Sequence, residues 1–306
     1  MRIGIVIPAF NVAPYIRDAI RSLLFQSHQD WTAVIVDDGS TDATAAIAAA
    51  FPDPRLNVIR QANAGVSAAR NRGMTEIDAD AVLFLDADDW LSPTALSRLA
   101  AALAASPEAV AAAGPFIKVP GGRRAVYPPA GDLLHRLLTR NLFVNGGHVL
   151  IRRAALARTG PFNTALRYGE DWEYWIRLAL LGSFAAAPSP TPLLFARERH
   201  GGAYLGMAAR RDSFAPCMDA IFTASALLTR LGAPALAAAR ARAEAENDWI
   251  AGRELIRHGD LRHGRRLLRR SILAAPGLKR LALLAAAALP HARPGPFRPY
   301  PAPGEA

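Results

Sequence analysis

Asp86-Ala87-Asp88-Asp89 puts three carboxylates into four residues, directly after the apolar run Ala81 to Leu85. Two carboxylates spaced two apart at the end of a buried strand can share a hard divalent cation, and that cation can in turn bind a diphosphate. Without a cation, repulsion and desolvation make the grouping costly. An Asp-rich turn in which Asp89 or Ser92 caps the next helix is the plainer alternative. A second cluster, Asp37-Asp38-Gly39-Ser40, also follows an apolar run. Here a carboxylate, Asp38 in preference to Asp37, can accept an N–H from a uracil or guanine edge, with Gly39 giving the backbone room. An Asx turn followed by a helix cap at Ser40, Thr41 or Asp42 explains the same residues without a ligand.

Glu170-Asp171 opens a helical stretch that continues through Trp172, Trp175 and Arg177. A helix N-terminus stabilises a carboxylate as its anion and keeps it available as a base, although acidic first-turn residues are also ordinary capping. His200 lies in a loop-like Arg-Glu-Arg-His-Gly-Gly segment and is a candidate ligand for a metal or diphosphate. Arg70 and Arg72 either pair with phosphate or serve as exposed helix residues and partners of Asp37 and Asp86. Trp172 and Trp175 are a sugar-stacking platform or core residues, and their helical spacing favours core packing for at least one. The other six histidines show no metal-ligand spacing. No G-x-G-x-x-G follows the first strand, and neither a Walker A nor a G-x-S-x-G motif occurs.

The elements that would position these groups alternate. Apolar runs at Ile3 to Ile7, Ala33 to Val36, Leu56 to Ile59 and Ala81 to Leu85 read as buried parallel strands. Helical patterns separate them: Ile16 to Phe25, an alanine-rich helix capped by Thr41 or Asp42, and Ser67 to Met74. Pro93 to Ala105 reads as the next helix. This order specifies a mostly parallel doubly wound sheet, in which ligands sit outside the carboxyl ends of the strands. Both aspartate clusters fall at such ends. Gly114 to Gly131 reads as irregular or edge structure, Val149 to Ile151 as a strand and Glu170 to Leu181 as a helix. From about Ala208 the pattern is helical. Gly259 to Pro276 resembles one helix of a tetratricopeptide-like hairpin, too little for an array. The domain organisation that follows is a catalytic domain over 1–205, a basic helical extension over 206–290 and a proline-rich disordered tail over 291–306.

Composition narrows the class. The 306 residues are 51% hydrophobic and 20% charged, as in a packed globular protein. Cys217 is the only cysteine, which excludes an internal disulfide and a cysteine-built zinc site. Net charge is +10, and residues 240–306 carry 13 Lys or Arg against 6 Asp or Glu. The rest is near balance, which argues against a nucleic-acid groove. The basic tail is either a membrane-surface contact or a solvated arginine face. With no secretory signal and no apolar run of membrane-spanning length, the expected location is cytoplasmic, with peripheral contact at the inner face of a membrane.

The segments Val6-Ile7-Pro8-Ala9-Phe10-Asn11, Val36-Asp37-Asp38-Gly39-Ser40-Thr41-Asp42, Asn63-Ala64-Gly65 with Ala69-Arg70-Asn71, Phe84-Leu85-Asp86-Ala87-Asp88-Asp89 and Gly169-Glu170-Asp171 occur in that order. In this the chain resembles glycosyltransferase family 2, with the α/β GT-A fold. The resemblance implies an inverting, metal-dependent transferase that moves one sugar from a nucleoside diphosphate sugar, UDP by default, to a hydroxyl of a glycan or lipid-linked acceptor. It implies a role in polysaccharide or glycoconjugate synthesis. It puts Pro8, Phe10 and Asp38 at the nucleotide base and Arg70 at the donor. Asp86 falls near the ribose and diphosphate, and Asp88, with Asp86 and His200, on manganese or magnesium. Asp171 becomes the base, with Glu170 beside it. Gly160-Pro161-Phe162-Asn163 departs from the family's Gly-Gly-Phe-Asp, which implies an altered acceptor-side turn. The Gln-x-x-Arg-Trp motif and the membrane helices of processive synthases are absent. The rival readings are a nucleotidyltransferase, which would need a glycine-rich basic loop where Ala9-Phe10-Asn11 stands, and a non-catalytic nucleotide-sugar-binding scaffold.

Overall fold

The computed structural model describes residues 1–122, 124–198, 214–257 and 259–288. They form two compact units, one of Met1–Leu134 with Leu142–Glu198, the other of His135–Asn141 with the described part of Arg199–Phe297. The tail expected over 291–306 lies outside the described residues, as does His200.

In the first unit the alternation becomes β1 (Ile3–Ala9), α1 (Ile16–Leu24), β2 (Trp31–Asp37), α2 (Thr44–Ala49), β3 (Leu56–Arg60), α3 (Val66–Glu76) and β4 (Ala81–Phe84). Then come β5 (Trp90–Leu91), α4 (Ala95–Ala105), β6 (Ala111–Ala113), β7 (Phe116–Val119), the single turn α5 (Leu134–Leu137), whose residues from His135 on belong to the second unit, β8 (Val149–Arg152), α6 (Arg153–Thr159), α7 (Glu170–Ala179), β9 (Phe184–Ala186) and β10 (Leu194–Arg197). The main sheet has seven strands in the order β3-β2-β1-β4-β8-β6-β9. Strands β1 to β4 run parallel, and β8 is antiparallel to both β4 and β6.

Parallel strands covered on both faces must be apolar throughout, and β1 and β4 are. Ile5, Ile7, Ile35 and Leu83 are fully buried, each such side chain contributing about 2 kcal/mol through removal from water. Helix α1 packs on this sheet through Ile16, Ala19, Ile20 and Leu23, the i, i+3, i+4, i+7 stripe of an amphipathic helix.

Two local expectations change. Helix α2 is capped by neither Thr41 nor Asp42: Ala43 occupies the cap position, and Asp42 instead accepts from the Thr44 N–H at 3.0 Å and the Ala13 N–H at 3.1 Å. Its carboxylate is thus used to join two loops. Nor do Asp89 or Ser92 cap α4, which starts after Thr94; β5 intervenes. That strand pairs antiparallel with β10, which runs parallel to β7, so the stretch from Gly114 to Gly131 contributes one strand of a small three-stranded sheet.

The second unit contains α8 (Ala215–Phe222), α9 (Ser225–Leu231), α10 (Ala233–Arg257), α11 (Leu261–Ala274) and α12 (Leu278–Ala288). Asp260 caps α11 by accepting from the His263 N–H at 3.1 Å. α11 then folds back on α10, with Leu268 fully buried, the Ser271 hydroxyl donating to the Ala245 carbonyl at 2.7 Å and Arg270 paired with Asp248 at 2.9 Å.

Candidate active site

The turns that follow β1, β2 and β3 lie at the carboxyl ends of neighbouring parallel strands, and side chains bind them to one another. Asn11, at φ 50°, accepts from the Thr41 N–H at 2.9 Å, while its own N–H donates to the Ser40 hydroxyl at 3.0 Å. Asp37 is fully buried and accepts from the Ser40 N–H at 3.2 Å, with Arg60 Nε 3.2 Å from its other oxygen. Asp38 is 3% exposed and its carboxylate holds the segment after β3: it accepts from Gln61 Nε2 at 2.7 Å, the Ala64 N–H at 2.9 Å and the Gly65 N–H at 2.8 Å. Gly39 sits at φ 77°, and a Cβ there would come within 2.9 Å of the Asn63 backbone nitrogen. The glycine is therefore required by the neighbouring loop itself. Phe10 stands beside this knot, 47% exposed, with Pro8 half-buried.

The turn after β4 carries the acidic cluster. Asp86 and Asp88 are partly exposed, whereas Asp89 points inward and is 3% exposed. Asp89 accepts from Asn145 Nδ2 at 2.6 Å and from the Arg197 N–H at 2.7 Å. Burial, reinforced by the charges of Asp88 and Asp86, pushes its carboxyl well above the usual carboxylate range. Arg197, at the end of β10, donates to the Asp88 carbonyl at 2.9 Å and to Asp18 at 2.8 Å, and its guanidinium lies over the rings of Tyr15 and Trp90. Two distant segments, at Asn145 and Arg197, thus converge on Asp88 and Asp89.

Arg70 joins this cluster to α7. Its side chain is 5% exposed and donates to Asp86 at 3.0 Å through one terminal amine and to Glu170 at 2.9 Å through the other. Burial alone would lower its pKa, but the carboxylates of Asp86, Glu170 and Asp171 outweigh that and hold it above the normal arginine value. Gly169, in the left-handed region at φ 72°, starts α7 so that Glu170 and Asp171 occupy its first turn. The Asp171 carboxylate accepts from the Trp172 N–H at 2.7 Å.

The turn Gly160 to Asn163 is held from three sides. Asn71 both donates to the Phe162 carbonyl at 2.9 Å and accepts from its N–H at 2.7 Å. Arg177 donates to the Thr159 and Pro161 carbonyls. The Phe162 ring stacks on Tyr174, centroids 3.9 Å apart, and meets Phe84 edge-on at 5.0 Å. Arg70 lies over its other side at 5.2 Å.

The structure therefore brings Asp86, Asp88, Arg70, Glu170 and Asp171 together, and places Pro8, Phe10 and Asp38 on the adjoining turns. Arg72 is 57% exposed and pairs with Glu76. Trp172 and Trp175 are 2% and 1% exposed, so both belong to the core and neither offers a stacking platform. Arg197, Asp18, Asn145 and the clamp made by Asn71 hold the turns around the candidate site, and motif reading missed them. Only Asn71 carried a signal, through its place in Ala69-Arg70-Asn71.

A divalent cation fits what is here. Two partly solvated carboxylates with hard oxygen donors face outward, a third is already forced toward its neutral form, and Arg70 is the nearby counter-charge. Among the described residues no group of three His, Cys, Asp or Glu forms a cage, so diphosphate oxygens and water would complete the coordination.

Residues 4–160 match the model of glycosyl transferase family 2. TuaG of Bacillus subtilis, described as a putative teichuronic acid biosynthesis glycosyltransferase, is 38% identical over 90 residues, 28% of this chain and 36% of the relative. The chain spans between 13% and 40% of the length of six curated relatives, TuaG among them. Among solved structures, S. aureus TarS 1-349 in complex with UDP-GlcNAc is similar with a TM-score of 0.68 at 20% identity, over 93% of this chain and 84% of that one. Mannosyltransferase PcManGT from Pyrobaculum calidifontis, in complex with GDP-Man and Mn2+, gives 0.60 at 21% identity, over 94% and 79%. These likenesses show the GT-A fold. With its motifs gathered at one sheet edge and the family model matched over half its length, the chain belongs to glycosyl transferase family 2.

Proposed function

We propose that the protein is an inverting glycosyltransferase that moves one sugar from a nucleoside diphosphate sugar to a hydroxyl of a glycan or lipid-linked acceptor in cell-surface polysaccharide synthesis. The observation that carries this reading is the Arg70 bridge, which brings the end of β4 and the start of α7 to one guanidinium. A donor-binding carboxylate pair and a prospective base then face one reaction space.

In this reading the nucleotide base lies against Phe10 and Pro8, with Asp38 either accepting from its edge or shaping its wall through residues 61–65. Asp88 and Asp86 would hold a divalent cation, which when bound would offset the negative charge of the diphosphate. His200 remains a proposed additional ligand. Asp171 takes the proton from the acceptor hydroxyl as that oxygen forms its bond to the anomeric carbon. The bond from that carbon to the diphosphate oxygen breaks, and configuration inverts. Arg70 contacts the donor side through Asp86, because both its terminal amines are already bound to carboxylates. UDP is the proposed nucleotide, in line with the UDP-GlcNAc complex of TarS.

The test is thermal stabilisation by UDP, GDP, dTDP and CMP, each with and without manganese. Manganese-dependent stabilisation by one diphosphate is the expected result and names the nucleotide. A folded protein stabilised by none of them would sink the transferase reading in favour of a non-catalytic scaffold.

A further inference from the structure

Several arginines of the second unit are held by partners within it. Arg240 pairs with Asp219 and Glu244, Arg270 with Asp248 and Arg280 with Glu246, while Arg265 donates to the Ala287 carbonyl and so ties α12 to α11. Arg262, Arg266 and Arg269 are exposed and, like Arg230 and Arg242, make no hydrogen bond or ion pair among the described residues, although the charge of Arg266 acts on Asp260. What sets the three apart is their place on one helix. Their spacing of four and three puts them on one stripe of α11, opposite the face that buries Gly264, Leu268 and Ser271.

The same stripe continues, four residues on, to Leu273, which is 86% exposed. Beyond a three-residue turn Leu278 is also 86% exposed, and Leu281, three residues further on α12, is 47% exposed. Three leucines uncovered at the tip of a helical hairpin, beside three exposed arginines, are costly in water unless something apolar and anionic receives them.

We propose that the outer face of the α11–α12 hairpin binds the surface of an anionic lipid bilayer, with Leu273, Leu278 and Leu281 entering the interface and Arg262, Arg266 and Arg269 lying against the headgroups. The apolar tip decides the occupant. A nucleic acid would satisfy the arginines but gains nothing from the leucines, whereas a bilayer offers both an anionic surface and an apolar layer beneath it. No described helix is long and apolar enough to cross a membrane, so the contact is peripheral. The inference stands apart from the donor chemistry, and its readout requires no sugar nucleotide.

The experiment is flotation of the full chain with vesicles of phosphatidylcholine alone or with phosphatidylglycerol, at low and high salt. The expected result is binding to the anionic vesicles, weakened by salt, and none to the neutral ones. Leu273→Ser with Leu278→Ser should weaken it by about tenfold or more, as should Arg262→Gln, Arg266→Gln and Arg269→Gln together. These side chains are exposed, so unchanged thermal melting confirms that the variants fold. Failure of the parent protein to float with anionic vesicles overturns the proposal, and so does undiminished binding by the leucine variant. Tighter binding to a duplex oligonucleotide, indifferent to the leucines, would reassign the stripe to nucleic acid.

Discussion

Arg70 and Glu170 are 100 residues apart and meet at 2.9 Å, in a pair whose arginine is 5% exposed and whose glutamate is 13% exposed. The same guanidinium holds Asp86 at 3.0 Å. A buried cation shared by two carboxylates is costly to break from one side, because the charges left behind have lost their only compensation. Arg70→Met should therefore destabilise the fold by about 3 kcal/mol in urea unfolding. Arg70→Lys should lose most of the bridge, since an ammonium lacks the planar fork that spans two carboxylates. A double-mutant cycle with Glu170→Gln measures the coupling; additive effects would show that the contact carries no energy.

The two acidic motifs should fail differently. Asp171→Asn should lower turnover by roughly a thousandfold, the size of a lost general base, and leave donor affinity nearly intact. Asp88→Ala should remove the manganese-dependent part of donor affinity, and chelation with EDTA should do the same to the parent protein. Calorimetric titration of UDP beside single-turnover transfer separates the two. Near-normal turnover in Asp171→Asn would take away the base assignment, and metal-independent donor binding in the parent would take away the cation.

The positions of these carboxylates are legible in the sequence because buried parallel strands read as short apolar runs, which places Asp37 and Asp86 at strand ends. What joins them was not legible. Arg197 reaches Asp89 across 108 residues and Asn145 reaches it across 56, and neither lies in a periodic or motif-like setting. The tryptophans of α7 were legible in part, since their helical spacing favours core packing for at least one of them. Trp172 and Trp175 are three apart, and the helix turns both into the core. Asp38 falls between these cases: its position at a strand end was readable, but its use of both oxygens to hold residues 61–65 depends on a loop conformation that spacing does not encode.

His148 gives a pH prediction. It is fully buried between the rings of Phe116 and Phe143, with Nδ1 2.8 Å from the Gly114 carbonyl and Nε2 3.3 Å from the Val144 N–H that donates to it. Burial lowers its pKa from 6.5 to about 4. Below pH 6.5 the unfolded chain takes up a proton that the folded one refuses, so this contribution is whole above 6.5 and is lost as pH falls toward 4. The full difference corresponds to roughly 3 kcal/mol. Urea unfolding at pH 7 and pH 4.5 should show a smaller loss in His148→Gln than in the parent, by about 2 kcal/mol. Equal losses in the two proteins would mean that His148 is not held neutral.

Asn71 tests whether the turn at Phe162 serves the start of α7 or the donor. Its side chain satisfies both backbone groups of Phe162, which is 2% exposed and stacked under Arg70 and against Tyr174. Asn71→Ala strands a buried N–H and a carbonyl, at a cost of about 2 kcal/mol in stability. The larger consequence is positional. Phe162 is the shelf beneath the Arg70 guanidinium, and Arg70 holds Glu170 next to Asp171, so a loosened shelf shifts Asp171, the proposed base, relative to Asp86 and Asp88. A displacement of that kind should lower turnover by roughly tenfold or more while leaving the donor dissociation constant within about twofold. Phe162→Tyr, which keeps the ring, should retain most of the turnover that Phe162→Leu loses. Should Asn71→Ala instead weaken donor binding and leave turnover unchanged, the turn acts on the nucleotide, and the path from Phe162 through Arg70 to Asp171 is not the one that matters.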